Sequence, residues 1–209
     1  MRKATRDTVV FDLGGVLIDW DPRHLYRRLF TDPAEMEWFL SHICTADWHR
    51  AHDLGADVTE SCQRLAERHP RYQGMIMAWA EHHEEMAVGQ LDDTVRILAE
   101  LTAAGVPCYA LSNMEPEAFR VRLHRFEFLT WFAGCVISGL EKVAKPDARI
   151  FQILLDRYAL EPRASVFIDD MPRNLRSARA LGLQAVRFTT ADALRAELRE
   201  RGYDAVRPA

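Results

Sequence analysis

Short apolar runs that end in polar residues alternate along this chain with longer stretches in which apolar residues recur every three or four positions. The first run, Val9-Val10-Phe11, stops at Asp12 and gives way to Gly14-Gly15, which predicts a buried strand ending in a turn. Residues 106–111, 134–137, 165–168 and 184–188 predict further strands, the first of these ending at Ser112-Asn113 and the third at Asp169-Asp170. Helical spacing separates them. Leu91, Val95, Leu98 and Leu101 mark a helix stopped at Gly105, and Phe119 and Leu123 mark another. Ile150, Phe151, Leu154, Leu155 and Tyr158 form a third stripe, and residues 172–181 and 193–201 complete the series. Strands joined through helices predict an α/β fold with a doubly wound parallel sheet, because parallel neighbours need crossover connections.

One stretch breaks the alternation. Residues 16–20 predict a small hairpin-like flap, and Asp21-Pro22 opens a helix running to about Phe30. From Thr31 to about Gly89 there is no strand pattern. Met36, Phe39, Leu40 and Ile43, then Val58 and Leu65, then Met75, Ile76, Trp79 and Met86 recur at helical spacing, with breaks at Asp32-Pro33, Gly55 and His69-Pro70. The reading is an inserted unit of about four helices at residues 20–89, set in a core made of residues 1–19 and 90–209. The insertion carries Trp38, Trp48, Trp79, His42, His49, His52, His82 and His83.

Composition narrows the picture only a little. A chain of 209 residues that is 48% hydrophobic has ample material for a core, and its net charge of −4 argues against a nucleic-acid or anionic membrane partner. No apolar run approaches the roughly 20 residues of a membrane span. Met-Arg-Lys-Ala-Thr leads into the first strand without a signal-peptide core, so a cytoplasmic location is expected. Cys44, Cys62, Cys108 and Cys135 are widely spread and are expected as reduced, mostly buried thiols. Oligomeric state is not legible.

The polar strand ends are where chemistry is expected. In an open parallel sheet, ligands bind beyond the carboxyl ends of the strands, so Asp12, Ser112-Asn113 and Asp169-Asp170 should converge on one crevice, with Lys145 opening a helix nearby. Three carboxylates brought together need counter-charge. Lys145 and a divalent cation supply about as much as is required, and hard oxygen donors without His or Cys point to Mg²⁺. A phosphate ester is the natural ligand of such a site.

The motifs F-D-L-G-G-V-L, L-S-N, A-K-P-D and F-I-D-D resemble the four motifs of the haloacid dehalogenase-like (HAD) hydrolase superfamily, and the resemblance covers essentially the whole chain. It implies a Rossmann-like core, with the helical insertion as a cap domain. D-L-G-G-V-L-I-D-W-D-P-R is similar to a branch that includes sugar-phosphate phosphatases. By that resemblance the chain is a Mg²⁺-dependent phosphohydrolase of a small organic phosphate. Asp12 is the nucleophile, forming an aspartyl-phosphate. Ser112, Asn113 and Lys145 hold the phosphoryl oxygens. Asp169, assisted by Asp170, ligates the metal with Asp12 and the backbone carbonyl of Gly14.

Gly14 departs from the pattern, since phosphatases of the superfamily usually have there a second Asp that protonates the leaving oxygen and then activates water. Losing a general acid/base typically costs about 10² to 10⁴ in rate unless the leaving group is good or another group substitutes. Low-pKa leaving groups are therefore the expected substrates, with Asp21, His24, His49 or His52 as candidate stand-ins. Two alternatives stay open: a 2-haloacid dehalogenase-type hydrolase, against which the Asp169-Asp170 pair argues, and a catalytically weakened protein that binds a phosphorylated ligand. Specificity is expected in the helical insertion, with Trp48 and His49 as candidate contacts.

Overall fold

The computed structural model describes residues 8–206. In chain order the elements are β1 (Thr8–Phe11), β2 (Ile18–Trp20), α1 (Pro22–Tyr26), α2 (Pro33–His42), α3 (Ala46–Asp53), α4 (Val58–Arg68) and α5 (Gln73–Glu81). There follow β3 (Ala87–Gln90), α6 (Asp92–Ala103), β4 (Cys108–Ser112), α7 (Pro116–Arg125), β5 (Gly134–Ile137), α8 (Ser138–Glu141), α9 (Ala148–Tyr158), β6 (Ser165–Asp169), α10 (Pro172–Ala180), β7 (Gln184–Arg187) and α11 (Ala191–Glu200). Five strands form one sheet in the order β5-β4-β1-β6-β7, every neighbour parallel, as the alternation predicts.

β1 is buried along its length, and the two-residue period of a strand divides its side chains between the two faces. Val9 and Phe11 join a core with Val95, Leu98 and Leu101 of α6 and Leu194 and Leu198 of α11. Val10 joins the opposite core, with Ile150, Phe151 and Leu154 of α9 and Leu175 of α10. Phe11 stands level with Ala110 of β4 and Ile168 of β6, so the next residue, Asp12, emerges between the ends of both neighbours. Its amide still donates to the Ile168 carbonyl at 2.9 Å, which fixes the backbone of the carboxylate.

Helices α1–α5 bury a cluster of their own, with Leu25, Tyr26, Phe39, Cys62, Ile76 and Trp79 at its centre. Asp21, Asp32, Thr45 and Asp57 cap the first four by accepting from amides two or three residues on, which is why the breaks fall at these polar residues. The layer is tied to the sheet by an antiparallel ribbon in which Ile18 of β2 faces Gln90 of β3 and Trp20 faces Ala87.

Four details differ from the sequence reading. β3 lies where no strand is expected; it is four residues long with a Gly, and its partner, not its own alternation, specifies it. α1 ends at Tyr26, and the following turns carry the chain to Phe30. β4 starts at Cys108, not Val106, because Pro107 has no N–H for the ladder, though its carbonyl accepts from Val9 at 3.0 Å. α8 is a single turn too short for a periodic signal. All four cysteines are free thiols, three buried and Cys135 partly so.

Candidate active site

The ends of β1, β4 and β6 bring Asp12, Ser112, Lys145 and Asp169 to one point. Lys145 is 0% exposed; its Nζ lies 2.9 Å from Asp12 Oδ1 and 2.8 Å from Asp169 Oδ2. Burial works against its charge, but the two carboxylates hold the ammonium above its usual pKa. Asn113 positions it: the Asn113 amide donates to the Lys145 carbonyl at 3.0 Å, and its oxygen accepts from the Lys145 N–H at 2.8 Å. Both polar atoms of Asn113 are thus engaged with the lysine backbone. Asn113 also lines the cavity, beside the Lys145 backbone that it holds. Ser112 is buried yet lines the cavity, and among the described residues its hydroxyl has no protein partner, leaving it free for a ligand oxygen.

The two acids after β6 divide their work. Asp169 is fully buried: its Oδ1 accepts from the Met171 amide at 2.8 Å and the Asn174 amide at 2.9 Å, and its Oδ2 receives Lys145. Asp170 lines the cavity instead. Sequence alone expects Asp169 as the leading metal ligand with Asp170 assisting; here both oxygens of Asp169 carry protein hydrogen bonds, while the carboxylate of Asp170 faces the cavity. Asp12, Asp169 and Asp170 nonetheless present oxygens within 4.8 Å of one another. Burial, against the pull of Lys145 and with Asp169 and Asp170 adding to it, pushes Asp12 up to about 8. Burial and Asp169 raise Asp170 as well. Three acids against one ammonium leave a surplus of two negative charges, and an all-oxygen donor set with that surplus fits a divalent hard cation. Gly15, at φ +72°, lies against Asp170: a Cβ there would stand 3.2 Å from Asp170 Oδ2. A side chain would crowd the donors.

Above this floor is a cavity of about 500 Å³, bounded on the far side by the helical layer. Trp20, Leu40, Cys44 and Trp79 supply apolar wall, while Arg23, Arg50 and Arg173 bring positive charge. Gly14 lines it with no side chain to offer. Of the candidate stand-ins for the missing acid, Asp21 caps α1 and also receives Arg23 Nη1 at 3.3 Å, and His24 Nε2 sits 2.8 Å from Asp19. His52 is 0% exposed, held neutral by burial at about 4, and packs against Trp48 and His49. Trp48 is a packing residue, edge-on to Trp79. Only His49 of the three histidines faces the cavity, stacked on Trp20 with ring centres 5.1 Å apart; burial holds it at about 4.

Residues 6–182 match the family of haloacid dehalogenase-like hydrolases. The chain belongs to that family. Among curated relatives, the sesquiterpene phosphatase of Aspergillus oryzae is 24% identical over 94% of this chain and 97% of its own. Two longer relatives are spanned over only 10% and 35% of their length. Bacterial (S)-2-haloacid dehalogenases match over 46% of this chain. Among solved structures, a HAD-like hydrolase of Porphyromonas gingivalis shares the fold at a TM-score of 0.70 with 20% identity, covering 95% of this chain and 99% of that one. A HAD family enzyme of Bacteroides thetaiotaomicron, solved as its magnesium complex, superposes at 0.67 with 20% identity over 88% and 93%.

Three residues of this HAD-like hydrolase escape the sequence reading. Asp53 closes α3 and lines the cavity; it stands one helical turn from His49, a spacing that could have flagged it. Glu115 and His83 join the helical layer to the sheet, with His83 Nε2 2.7 Å from Glu115 Oε1. His49, His83 and Glu115 lie within 4.8 Å of one another, but Arg122, Arg125 and Glu84 complete this group, so its two acids are already matched by protein cations. No cation is called for there. Among the described residues no helix is long and apolar enough to cross a membrane.

Proposed function

We propose that this hydrolase is a Mg²⁺-dependent phosphatase of small organic phosphate esters, acting through an aspartyl-phosphate on Asp12. The observation that carries the proposal is the buried ammonium of Lys145 set between Asp12 and Asp169 at the floor of a cavity that also presents Asp170 and the Ser112 hydroxyl, unpaired among the described residues. Asp12 Oδ attacks phosphorus. Lys145 and Ser112 bind phosphoryl oxygens and stabilise the charge they carry as the bond to the leaving oxygen breaks. Asp169 and Asn113 keep Lys145 in place.

Asp12 and Asp170, with the Gly14 carbonyl, would hold the metal, which supplies positive charge to the phosphoryl group and offsets the surplus of the acids. The helical layer is the cap, residues 20–89 over a core of 1–19 and 90–209, and excludes water from the reacting centre. A cavity of about 500 Å³ with Trp20, Leu40 and Trp79 in its wall suits a phosphate with an apolar body, in keeping with the sesquiterpene phosphatase among the relatives. Free, mostly buried thiols suit a cytoplasmic setting.

The test is phosphate release from a panel of aryl, sugar and prenyl phosphates, with and without Mg²⁺. Activity that needs both the metal and Asp12 is expected, so EDTA and Asp12→Asn should each abolish it. Halide release from 2-chloropropionate without metal would instead establish the dehalogenase reading.

A further inference from the structure

We propose that Asp53, carried on the helical layer, does the proton work for which Gly14 has no side chain: it protonates the leaving oxygen and then takes a proton from the attacking water. This rests on the phosphatase reading. An in-line displacement places the leaving oxygen on the opposite side of phosphorus from Asp12, toward the helical layer, so an acid that serves it has to come from that side.

Asp53 is fixed there from both ends. The Ser138 hydroxyl donates to the Asp53 carbonyl while accepting from the Met114 amide at 3.0 Å, which joins the end of α3 to the segment following Ser112. Two residues on, Gly55 at φ +84° lies flat on the core: a Cβ would stand 2.8 Å from the Gly139 carbonyl, and Lys142 Nζ donates to the Gly55 carbonyl at 3.4 Å. The carboxyl between these anchors lines the same cavity as Asp12 and Lys145, with its side chain 13% exposed. Among the described residues it has no hydrogen-bond donor, and His49 Nε2 stands 4.0 Å away. A nearly buried carboxylate without a donor is costly, so such a group keeps its proton. Burial first, then Glu115, raises Asp53 to about 7 against Lys145, Arg50 and Arg173, while the His49 imidazole stays neutral. A carboxyl of that kind gives and takes a proton near neutral pH.

The steps balance. Asp12 Oδ bonds to phosphorus, the bond to the ester oxygen breaks, and the Asp53 proton passes to that oxygen, releasing the alcohol. Water then adds to phosphorus, its proton goes to Asp53, and the bond to Asp12 breaks, freeing phosphate and restoring both carboxyls.

Leaving-group dependence tests this. Asp53→Asn should lower kcat/KM on an alkyl phosphate by about 10² to 10⁴. On p-nitrophenyl phosphate, whose leaving group needs no proton, the first step should stay within a few-fold, and slowed dephosphorylation should give a burst of nitrophenol in rapid mixing. Asp53→Ala, checked by circular dichroism, serves where the amide does not fold. Gly14→Asp in the Asp53→Asn background should restore alkyl turnover, because a Cβ at Gly14 meets only Trp20 Cβ at 4.0 Å. Equal losses on both substrates, or no loss, in a folded variant would overturn the assignment of Asp53. If Asp12→Asn retained wild-type phosphate release, the phosphatase reading itself would fall, and this one with it.

Discussion

Asp12→Asn should stabilise the metal-free protein while abolishing its activity. Asp12 shares one ammonium with two other acids, and burial lifts its pKa from 3.8 to about 8. A carboxyl whose pKa is higher folded than unfolded binds its proton more tightly in the folded state. Its contribution is therefore intact below the unfolded value and is lost as pH rises through the folded one, here between about 4 and 8. At roughly 1.4 kcal/mol per unit, the contribution lost by pH 7 is on the order of 4 kcal/mol, and water entering the cavity lowers that to about 2–4. Asparagine removes the charge but keeps an oxygen for Lys145 Nζ and the Leu13 amide, at 2.9 and 2.7 Å in the native protein. For a chain of this size the gain corresponds to roughly 5–12 °C in Tm. Thermal melts in EDTA at pH 7 should show it, and at pH 5 the gap should shrink to about half or less, since less of the desolvation cost is then realised. Mg²⁺ should narrow the gap at pH 7 by raising the wild-type Tm. A variant that melts at or below wild type in EDTA, or a gap unchanged between pH 5 and 7, would refute the charge-surplus argument.

Two further predictions follow from the ion pairs. Lys145→Met leaves three acids without an internal counter-charge and should cost about 3–5 kcal/mol in urea unfolding in EDTA, with complete loss of turnover; stability equal to wild type would contradict the pairing. Burial disfavours a charged His83, yet Glu115 and Glu84 raise it to about 9, while Glu115, against the same burial, is held at about 2. The His83 contribution is whole below pH 6.5 and fades through about 9, and that of Glu115 is whole above 4.5, so Glu115→Gln should destabilise most near pH 5–6.5 and least above pH 9. Denaturant melts at pH 6 and 9.5 measure the difference.

The sheet and its floor of polar groups were legible because each depends on local signals. Buried parallel strands read as apolar runs, and an acid or Ser-Asn at the end of such a run marks the edge where ligands meet. β3 was not legible, since four residues with one exposed face gain their register only from β2. The different surroundings of Asp169 and Asp170 were equally hidden, because adjacent residues look alike until one is seen held by Asn174, Met171 and Lys145. The role of Asn113 was hidden for the same reason, its partner being a backbone 32 residues away. Asp53 lies one helical turn from His49, a weak signal that by itself does not separate it from a solvated acid. What distinguishes it is tertiary: its own carbonyl accepts from Ser138, and that of Gly55, two residues on, accepts from Lys142.

That contrast bears on how the two layers work together. The proposed nucleophile, Asp12, sits at the end of the central strand, held by the Ile168 carbonyl and by neighbours on both sides, so it has little freedom to move. The proposed proton donor sits on a layer with its own core, joined to the sheet by the β2–β3 ribbon and by the Asp53–Ser138 and Gly55–Lys142 contacts. A donor built into the strand turn, as Asp at position 14 would be, acts wherever the layer stands. A donor on the layer acts only when the layer is seated, which couples proton transfer to exclusion of water from the cavity. Substituting Gly at position 14 therefore need not weaken the enzyme. In the proposed mechanism, that proton transfer is moved from the fixed half of the site to the half that also shapes the cavity.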